Sequence, residues 1–442
     1  MQPFADRRAL LSARMQQAGG GVAVLLTAPE VPRNRDSHYP YRWDSYFYYL
    51  SGFAEPEAAL VLVATEQPRS ILFCRSKDAE REIWDGFRIG PQAAAERFGF
   101  DAAYPFDALD EELPRLLADQ PAIYYAMGSD SALDGRIRVW LDAVRAQARA
   151  GVSAPARAFD VRALLDEMRL IKDASEVALM QRAASISARA HVRAMRATRP
   201  GRREYQIEAE LLHEFRAAGS QYPAYSSIVA GGANACVLHY RDNAAELRDG
   251  QLLLIDAGCE LDGYASDITR TFPVNGRFSG PQRALYDVVL AAQRAAIEAT
   301  RSGATFIAPH EAAVRVLAQG MVDLELLAGS VDGLIESGAY RRFYMHRTGH
   351  WLGMDVHDCG EYREPGAAAA GDGERPWRVL RPGMVLTVEP GIYVRAADDV
   401  PAEFHDIGIR IEDDAVVTEG EARIITADVP KAPDDIEALM RS

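Results

Sequence analysis

The stretch LLLIDAGCELDGYASDITRTF, residues 252–272, decides the fold of this chain. It opens as an apolar run ending at Asp256, and after an Asp-Gly turn a second β-type run carries Asp267. If the two runs pair as an antiparallel hairpin, Asp256 lies opposite Thr269 and Asp267 falls on the same face. Two carboxylates on one inward face repel each other unless a proton or a cation joins them. Spacing alone leaves the alternative open that both are solvated strand-end aspartates.

A histidine cluster favours the cation. The segment MHRTGHWLGMDVHD holds His346, His350 and His357, three of the nine histidines of the chain, interleaved with glycine. A lone histidine is usually a satisfied core or surface residue, whereas three so close together are harder to explain in that way. No HExxH string occurs in the sequence, so the histidine cluster is not a zinc-binding helix of that type.

Two glutamates in apolar runs extend the set. Glu389 ends the run GMVLTVE directly before a Pro-Gly pair, and IGIRIEDDAVV places Arg410 and Glu412 on one face of a strand. A glutamate in such a run is unfavourable to bury alone, so either its face is wet or it has a partner. Together with the two aspartates and one or two imidazoles, these glutamates form an oxygen-rich set. Such a set suits paired divalent ions such as Mn²⁺ better than a thiolate-loving metal.

Composition excludes several other classes of protein. The chain has 442 residues and a net charge of −15, which argues against nucleic acid and anionic membranes as partners. No apolar run reaches the roughly 18 residues that a membrane helix needs, and the N-terminus lacks the apolar core of a signal peptide. The sequence contains no GxSxG elbow, P-loop or GxGxxG motif. The four cysteines form no CxxC pair, and we expect a cytoplasmic protein. They are Cys74, Cys236, Cys259 and Cys359.

The pattern along the chain predicts two domains. An α/β domain is indicated at the N-terminus, where helical spacing alternates with short apolar runs. Asp173 followed by Glu176 resembles a capping box at the start of a long helix, and places the boundary just before it. The predicted domains are 1–168 and 169–442. The apolar runs of the first are Gly21–Ala28, Ala58–Ala64 and Ser70–Cys74.

Several strings together resemble the Xaa-Pro aminopeptidase (aminopeptidase P) family of pita-bread-fold metallopeptidases. They are SHYPYRWDSYFYYLSGFAEPEAALVL, EIWDGFRIG, LIDAGCELDGYASDITRTFPVNG, HWLGMDVHD, GMVLTVEPGIYV and GIGIRIEDD. The resemblance covers nearly the whole chain, from about Arg7 to the C-terminus. It implies an N-terminal creatinase-like α/β domain followed by a C-terminal pita-bread catalytic domain.

The resemblance also implies roles for individual residues. Two divalent ions are expected, Mn²⁺ as is usual in the family, with Zn²⁺ or Co²⁺ as alternatives. The implied metal ligands are Asp256, Asp267, His350, Glu389 and Glu412. The implied catalytic residues are His239, His346, His357, Glu389 and Arg410. Tyr393 is expected to form part of the wall of the substrate pocket, and Trp84 is expected to reach the active site of a neighbouring subunit. We therefore expect a homo-oligomer, a dimer or a tetramer.

The expected function is removal of the N-terminal residue from peptides with proline in second position, by hydroxide held between the two cations. Two alternatives stay open at this point: a prolidase, which cleaves Xaa-Pro dipeptides, and a non-catalytic binding module of the same fold. The chain departs from the family pattern at Arg347-Thr348, where smaller or apolar residues are expected. It also carries a longer segment at Pro365–Pro376, which we expect to be a surface loop.

Overall fold

The structure, a computed structural model, describes residues 2–369 and 373–442. The chain divides into two compact units, Met1–Glu167 and Met168–Ser442. Each unit has a hydrophobic core of its own, as an independent domain requires.

The first unit is built around a mixed β-sheet. Its strands are β1 (Gly21–Leu26), β2 (Pro32–Asn34), β3 (Ser37–His38), β4 (Ala59–Ala64), β5 (Arg69–Cys74), β6 (Ala102–Pro105), β7 (Ala122–Tyr125) and β8 (Arg157–Asp160). Its helices are α1 (Gln2–Gln17), α2 (Ser45–Ser51), α3 (Ala79–Asp85), α4 (Pro91–Phe98), α5 (Leu109–Leu117), α6 (Ser131–Arg145) and α7 (Arg162–Arg169), the last crossing the point of division. In the part of this unit that the structure describes, six strands form one sheet in the order β6-β5-β4-β1-β7-β8.

The apolar runs of the sequence explain this sheet. Strand β4 is buried along its whole length, and β1 and β5 are buried except at one end, which is why their sequences are continuously apolar. Helix α5 buries Leu109, Leu113 and Leu117, which recur every four residues on one face. The predicted N-terminal α/β architecture is confirmed.

Helices frame the second unit. They are α8 (Ala174–Ala197), α9 (Glu204–Ala217), α10 (Gly280–Ala299), α11 (Ala308–Asp323), α12 (Val331–Ser337) and α13 (Pro433–Arg441). The predicted capping box is present: the Asp173 carboxylate accepts hydrogen bonds from the backbone of Ser175 and Glu176, and Glu176 accepts one in return. None of the helices in the described residues is long and apolar enough to cross a bilayer.

The strands of the second unit are short. They are β9 (Tyr222–Pro223), β10 (Ile228–Gly231), β11 (Leu252–Asp256), β12 (Cys259–Leu261), β13 (Tyr264–Ala265), β14 (Thr269–Pro273), β15 (Val385–Val388), β16 (Gly391–Val394), β17 (Ile407–Arg410), β18 (Asp413–Val416) and β19 (Arg423–Ile424). Among the described residues they pair in the orders β10-β11-β14, β13-β12-β9, β15-β18-β19 and β16-β17. Helix α8 packs on β12 and β13, and α10 packs on β15, β16 and β17.

The hairpin predicted from residues 252–272 forms, but it is interrupted. Asp256 lies opposite Thr269, as the spacing predicts. The pairing of β11 with β14 then gives way to a separate pairing of β12 with β13, and Asp267 lies in the gap rather than inside a strand. The backbone passes so close at this gap that a Cβ on Gly258 would lie 1.7 Å from the Ser266 carbonyl oxygen. Glycine is therefore required beside the two aspartates.

A second interruption places the two glutamates. Glu389 follows β15 directly, as predicted. The single strand predicted through Arg410 and Glu412 is in fact two strands, β17 and β18, with Glu412 between them. The chain changes partners there, because β17 pairs with β16 whereas β18 pairs with β15. The freed N–H of Glu412 donates to the Thr269 carbonyl at 3.0 Å.

The predicted loop Pro365–Pro376 falls partly outside the described residues, at 370–372. The described residues on either side of that gap carry turns and irregular backbone, with no helix or strand in 365–369 or 373–376. Beyond them, Arg363 and Trp377 pair as an isolated β-bridge. The segment therefore leaves and returns at adjacent points of the second unit.

Candidate active site

The broken strands of the second unit surround a cavity of about 880 Å³. A cavity of this size is typical of sites that bind small molecules or short peptides. Every predicted metal ligand and every predicted catalytic residue lines it. These residues are His239, Asp256, Asp267, His346, His350, His357, Glu389, Arg410 and Glu412.

Three of the predicted ligands form a compact cluster. Asp267, His350 and Glu412 each offer one ligand atom, and these atoms lie within 4.8 Å of one another. Glu389 flanks the cluster, with Oε1 at 3.7 Å from Nε2 of His350. The same nitrogen lies 3.6 Å from Oδ2 of Asp267.

The loop that carries His350 is tied to strand β15. The backbone N–H of Thr387 donates to the His350 carbonyl at 3.0 Å, and that of Glu389 donates to the Thr348 carbonyl at 2.7 Å. Gly349 permits this approach, because a Cβ there would lie 2.1 Å from the Thr387 carbonyl oxygen. The imidazole and the glutamate are thus held side by side although they are 39 positions apart in the sequence.

Asp256 joins the cluster through a tyrosine that the sequence analysis did not identify. The Tyr225 hydroxyl lies 2.6 Å from Oδ1 of Asp256 and also contacts Oδ1 of Asp267. Its single proton can be donated to only one of these oxygens at a time. On its other side Asp256 accepts a hydrogen bond of 2.6 Å from Nη2 of Arg410. No local motif marks Tyr225, although it stands three residues before Ile228, which pairs with Asp256.

Glu412 is also held by its neighbours. Its Oε2 accepts a hydrogen bond of 2.6 Å from the Thr269 hydroxyl, the residue opposite Asp256 in the hairpin. Nε of Arg410 donates to the same hydroxyl at 3.2 Å. The two strand interruptions are therefore joined directly, and the carboxylates they carry converge.

Crowded carboxylates give the cluster a strong preference for positive charge. Burial and the neighbouring carboxylates raise the pKa of all three acidic side chains. The pKa of Asp267 is raised, that of Glu389 is raised to about 7, and that of Glu412 is raised well above its usual range. Burial by itself would lower the pKa of His350, but Asp267 and Glu389 raise it to about 9. A site that attracts protons in this way, with oxygen ligands and one imidazole, fits divalent cations.

His346 and Tyr393 lie next to the cluster. Nε2 of His346 is 2.8 Å from the Tyr393 hydroxyl, which accepts a hydrogen bond of 2.9 Å from Nη1 of Arg410. Burial, assisted by Arg410, lowers the pKa of His346 to about 3, so its ring is neutral. Its Nδ1 lies 2.7 Å from the Arg347 carbonyl, so Nδ1–H donates there and Nε2 accepts from Tyr393.

Of the remaining predicted site residues, two line the cavity, one is buried and one belongs to the first unit. The ring of His357 lies 4.1 Å from that of His350, and His239 lines the cavity from the segment after β10. Tyr393 is not among the lining residues: it is buried, and its hydroxyl is hydrogen-bonded to Arg410, which does line the cavity. Trp84 belongs to the first unit, on helix α3, with 81% of its surface exposed.

Comparison with known proteins settles the family. Residues 178–419 match the model of metallopeptidase family M24, and residues 4–124 match that of the aminopeptidase P N-terminal domain. The chain belongs to metallopeptidase family M24. The M24 chain is 46% identical to the Xaa-Pro aminopeptidase of Escherichia coli over 441 residues, which is 99% of this chain and 97% of the relative.

Solved structures agree. The M24 chain resembles that of the aminopeptidase PepP of Pseudomonas aeruginosa, with a TM-score of 0.95, 50% identity and coverage of 99% and 97% of the two chains. It also resembles a substituted E. coli aminopeptidase P in complex with substrate, with a TM-score of 0.95, 45% identity and coverage of 100% and 98%. This M24 enzyme is thus a metal-dependent exopeptidase that acts on peptides, with an N-terminal α/β domain and a C-terminal pita-bread domain, as the resemblance implied.

Tyr225→Phe is expected to weaken metal binding by about tenfold to 100-fold, the usual effect of removing a group that orients metal ligands. The change deletes only the hydroxyl between Asp256 and Asp267. Calorimetric titration with Mn²⁺ measures it, and Tyr205→Phe, an exposed tyrosine on α9, is the matched control. Equal affinity in the two variants would contradict a role for the hydroxyl.

Proposed function

We propose that this enzyme removes the N-terminal residue from peptides whose second residue is proline, using two Mn²⁺ ions. The convergence of Asp267, His350 and Glu412 at one side of a peptide-sized cavity carries the proposal. Similarity to Xaa-Pro aminopeptidases over nearly the whole chain supports the choice of substrate.

The cations are assigned to the five residues predicted from the sequence: Asp256, Asp267, His350, Glu389 and Glu412. When bound, paired divalent cations lower the pKa of a water molecule to about 7 and polarise the carbonyl oxygen of the substrate. Zn²⁺ is an alternative occupant, since a Zn-substituted E. coli aminopeptidase P with product is among the similar structures.

The side chains around the cluster have separate tasks. Glu389 takes a proton from the attacking water and transfers it to the departing proline nitrogen. His239 and His357 donate hydrogen bonds to the carbonyl oxygen as negative charge develops on it. Arg410 holds Asp256 in place, and His346 extends the same network through the Tyr393 hydroxyl.

Proline in the second position suits this arrangement because its nitrogen carries no hydrogen. A peptidase that requires an N–H at that position cannot use such a peptide. The fixed φ of proline also presents a rigid ring to a shaped wall. Our candidates for this wall are His239 and Arg410, which line the cavity, and the buried Tyr393 would act through its hydrogen bond with Arg410.

Three further proposals concern the whole protein. The catalytic domain is assigned to residues 169–442 and the creatinase-like domain to 1–168. A homo-oligomer, a dimer or a tetramer, is supported by the exposed Trp84, which would enter a neighbouring subunit's site. A cytoplasmic location is supported by the buried thiols of Cys74, Cys236 and Cys259.

The test follows cleavage of two peptides in parallel. The purified protein is loaded with Mn²⁺ and offered Ala-Pro-Ala and the dipeptide Ala-Pro, and release of alanine is measured. Cleavage of the tripeptide, with little of the dipeptide, is expected, and EDTA dialysis should abolish it until Mn²⁺ is restored. Preference for the dipeptide would identify a prolidase instead. Failure to cleave either peptide or to retain metal would leave the non-catalytic binding module.

A further inference from the structure

Positive charge lines the same cavity as the carboxylate cluster. Besides Arg410, which is paired with Asp256, the residues Arg241, Arg347 and Arg363 line this cavity. Across residues 2–369 and 373–442, neither Arg241 nor Arg347 forms an ion pair with a carboxylate. Arg363 is paired with Glu374, whose side chain is 64% exposed.

Two of these arginines contact the indole ring of Trp377. Cζ of Arg363 lies 3.6 Å from the centroid of Trp377, and Cζ of Arg347 lies 4.9 Å from it. Cation–π contact of this kind orients a guanidinium without using its N–H groups. Those of Arg347 are therefore available to a ligand, whereas Nη1 of Arg363 already donates to the Arg375 carbonyl and Nη2 contacts Glu374. We call Arg241, Arg347, Arg363 and Trp377 the arginine wall.

Trp377 of the arginine wall packs within a cluster of aromatic rings. The ring of Phe306 lies 4.6 Å from that of Tyr362 and 6.4 Å from that of Trp377. The bridge between Arg363 and Trp377 fixes the backbone, and Nη1 of Arg363 donates to the Arg375 carbonyl at 2.8 Å. Arg347, Arg363 and Trp377 are therefore positioned before any ligand arrives, which reduces the entropy lost on binding.

The position of the scissile bond decides which part of a peptide meets the wall. An aminopeptidase accommodates only one residue on the N-terminal side of that bond, and this residue carries a cationic ammonium group that arginines repel. The rest of a cavity of about 880 Å³ is therefore available to the residues that follow the bond. Arginine pairs with carboxylates through two parallel hydrogen bonds, and a concave site concentrates the field of several such charges.

We propose that the arginine wall binds a carboxylate on the part of the peptide that follows the proline, so that the enzyme prefers substrates with negative charge there. The inference rests on the proposed function and specifies its substrate class. The carboxylate has two sources: the C-terminus of a short peptide, or an Asp or Glu side chain in a longer one. Both present the same ligand chemistry to a guanidinium.

The experiment compares four peptides on the Mn²⁺-loaded full-length enzyme. Ala-Pro-Ala and its C-terminal amide differ in the α-carboxylate, and Ala-Pro-Asp-amide and Ala-Pro-Asn-amide differ in the side-chain carboxylate. For at least one pair, kcat/KM of the wild type should favour the acid by about tenfold, equivalent to 1.4 kcal/mol. The preference should fall as salt is added, because exposed arginines are screened.

Variants assign the preference to the wall. The double variant Arg347→Gln/Arg363→Gln should lose it while still cleaving the amides, and Arg347→Lys, which keeps the charge, should retain most of it. Arg375→Gln is the matched control, because Arg375 lies in the same segment, pairs with Glu361 at 2.6 Å and does not line the cavity. Thermal unfolding of each variant confirms that its fold is retained.

The outcomes separate this inference from the function on which it rests. If the double variant loses the wild-type preference in kcat/KM for Ala-Pro-Ala over its amide, the ligand is the C-terminal carboxylate. If it loses the preference for Ala-Pro-Asp-amide over Ala-Pro-Asn-amide, the ligand is the side-chain carboxylate. Equal cleavage within both pairs by the wild type, or an unchanged preference in the double variant, overturns the inference while the Xaa-Pro activity stands. Failure to cleave any of the four peptides overturns both.

Discussion

Asp267→Asn is expected to abolish metal retention and to lower peptide cleavage by about 10³-fold or more, since metal ions supply several kcal/mol of transition-state stabilisation. Asp267 is 5% exposed and belongs to the cluster with His350 and Glu412. The amide keeps the shape of the carboxylate but cannot supply its charge. Metal content after dialysis and kcat/KM for Ala-Pro-Ala measure the two effects.

Stability distinguishes loss of metal from loss of fold. Because burial raises the pKa of Asp267 and nearby carboxylates repel its charge, the metal-free variant should unfold at the same temperature as the metal-free wild type or higher. Added Mn²⁺ should raise the unfolding temperature of the wild type only. Asp262→Asn, at the exposed turn of the same hairpin, is the matched control and should behave like the wild type. Normal metal retention by Asp267→Asn would contradict the assignment.

Asp358→Asn is expected to destabilise the fold by about 3 kcal/mol at pH 7, as breaking a buried ion pair leaves charges without a partner. Oδ1 of Asp358 lies 2.6 Å from Nη2 of Arg169, and Oδ2 lies 2.8 Å from Nζ of Lys172. All three side chains are 1% exposed. The contact of Arg169 with Asp355 at 2.8 Å limits the loss. Urea denaturation measures it.

The loss of stability caused by Asp358→Asn should become smaller at low pH. Burial alone would raise the pKa of Asp358, but Lys172 and Arg169 outweigh it and lower the pKa below its ordinary value of 3.8. A depressed pKa in the folded state contributes stability that is fully present above the unfolded pKa of about 3.9. That stability is lost as the pH falls through the folded value. The difference between wild type and variant should therefore be constant near neutrality and shrink only below about pH 4.

Two controls test whether the destabilisation comes from the buried cations that lose Asp358 as their partner. Lys172→Met combined with Asp358→Asn removes one of the two cations and should recover part of the lost stability. Asp332→Asn removes a carboxylate that pairs with Arg315 at 3.0 Å but is 75% exposed, so the free energy of unfolding should hardly change. If Asp358→Asn were as harmless as Asp332→Asn, the buried cluster would not stabilise the second unit.

The sequence alone predicts much of this molecule because the relevant signals are local. The apolar run before Asp256 and the Asp-Gly turn place that residue opposite Thr269, and the structure confirms the register. A Pro-Gly pair places Glu389 at the end of a strand, and a capping box starts helix α8 at Asp173. In each case the deciding residues lie within about one turn or one hairpin of the position they determine.

Only the tertiary structure decides how these residues meet. The strand interruptions, which leave Asp267 and Glu412 outside regular strands, arise where one segment changes partners with another. Tyr225 reaches Asp256 across 31 positions, and Arg169 reaches Asp358 across 189. Periodicity carries no information about such contacts. They depend on side-chain geometry between distant segments, because buried charges and hydroxyls are satisfied by whatever partner the packed core brings near.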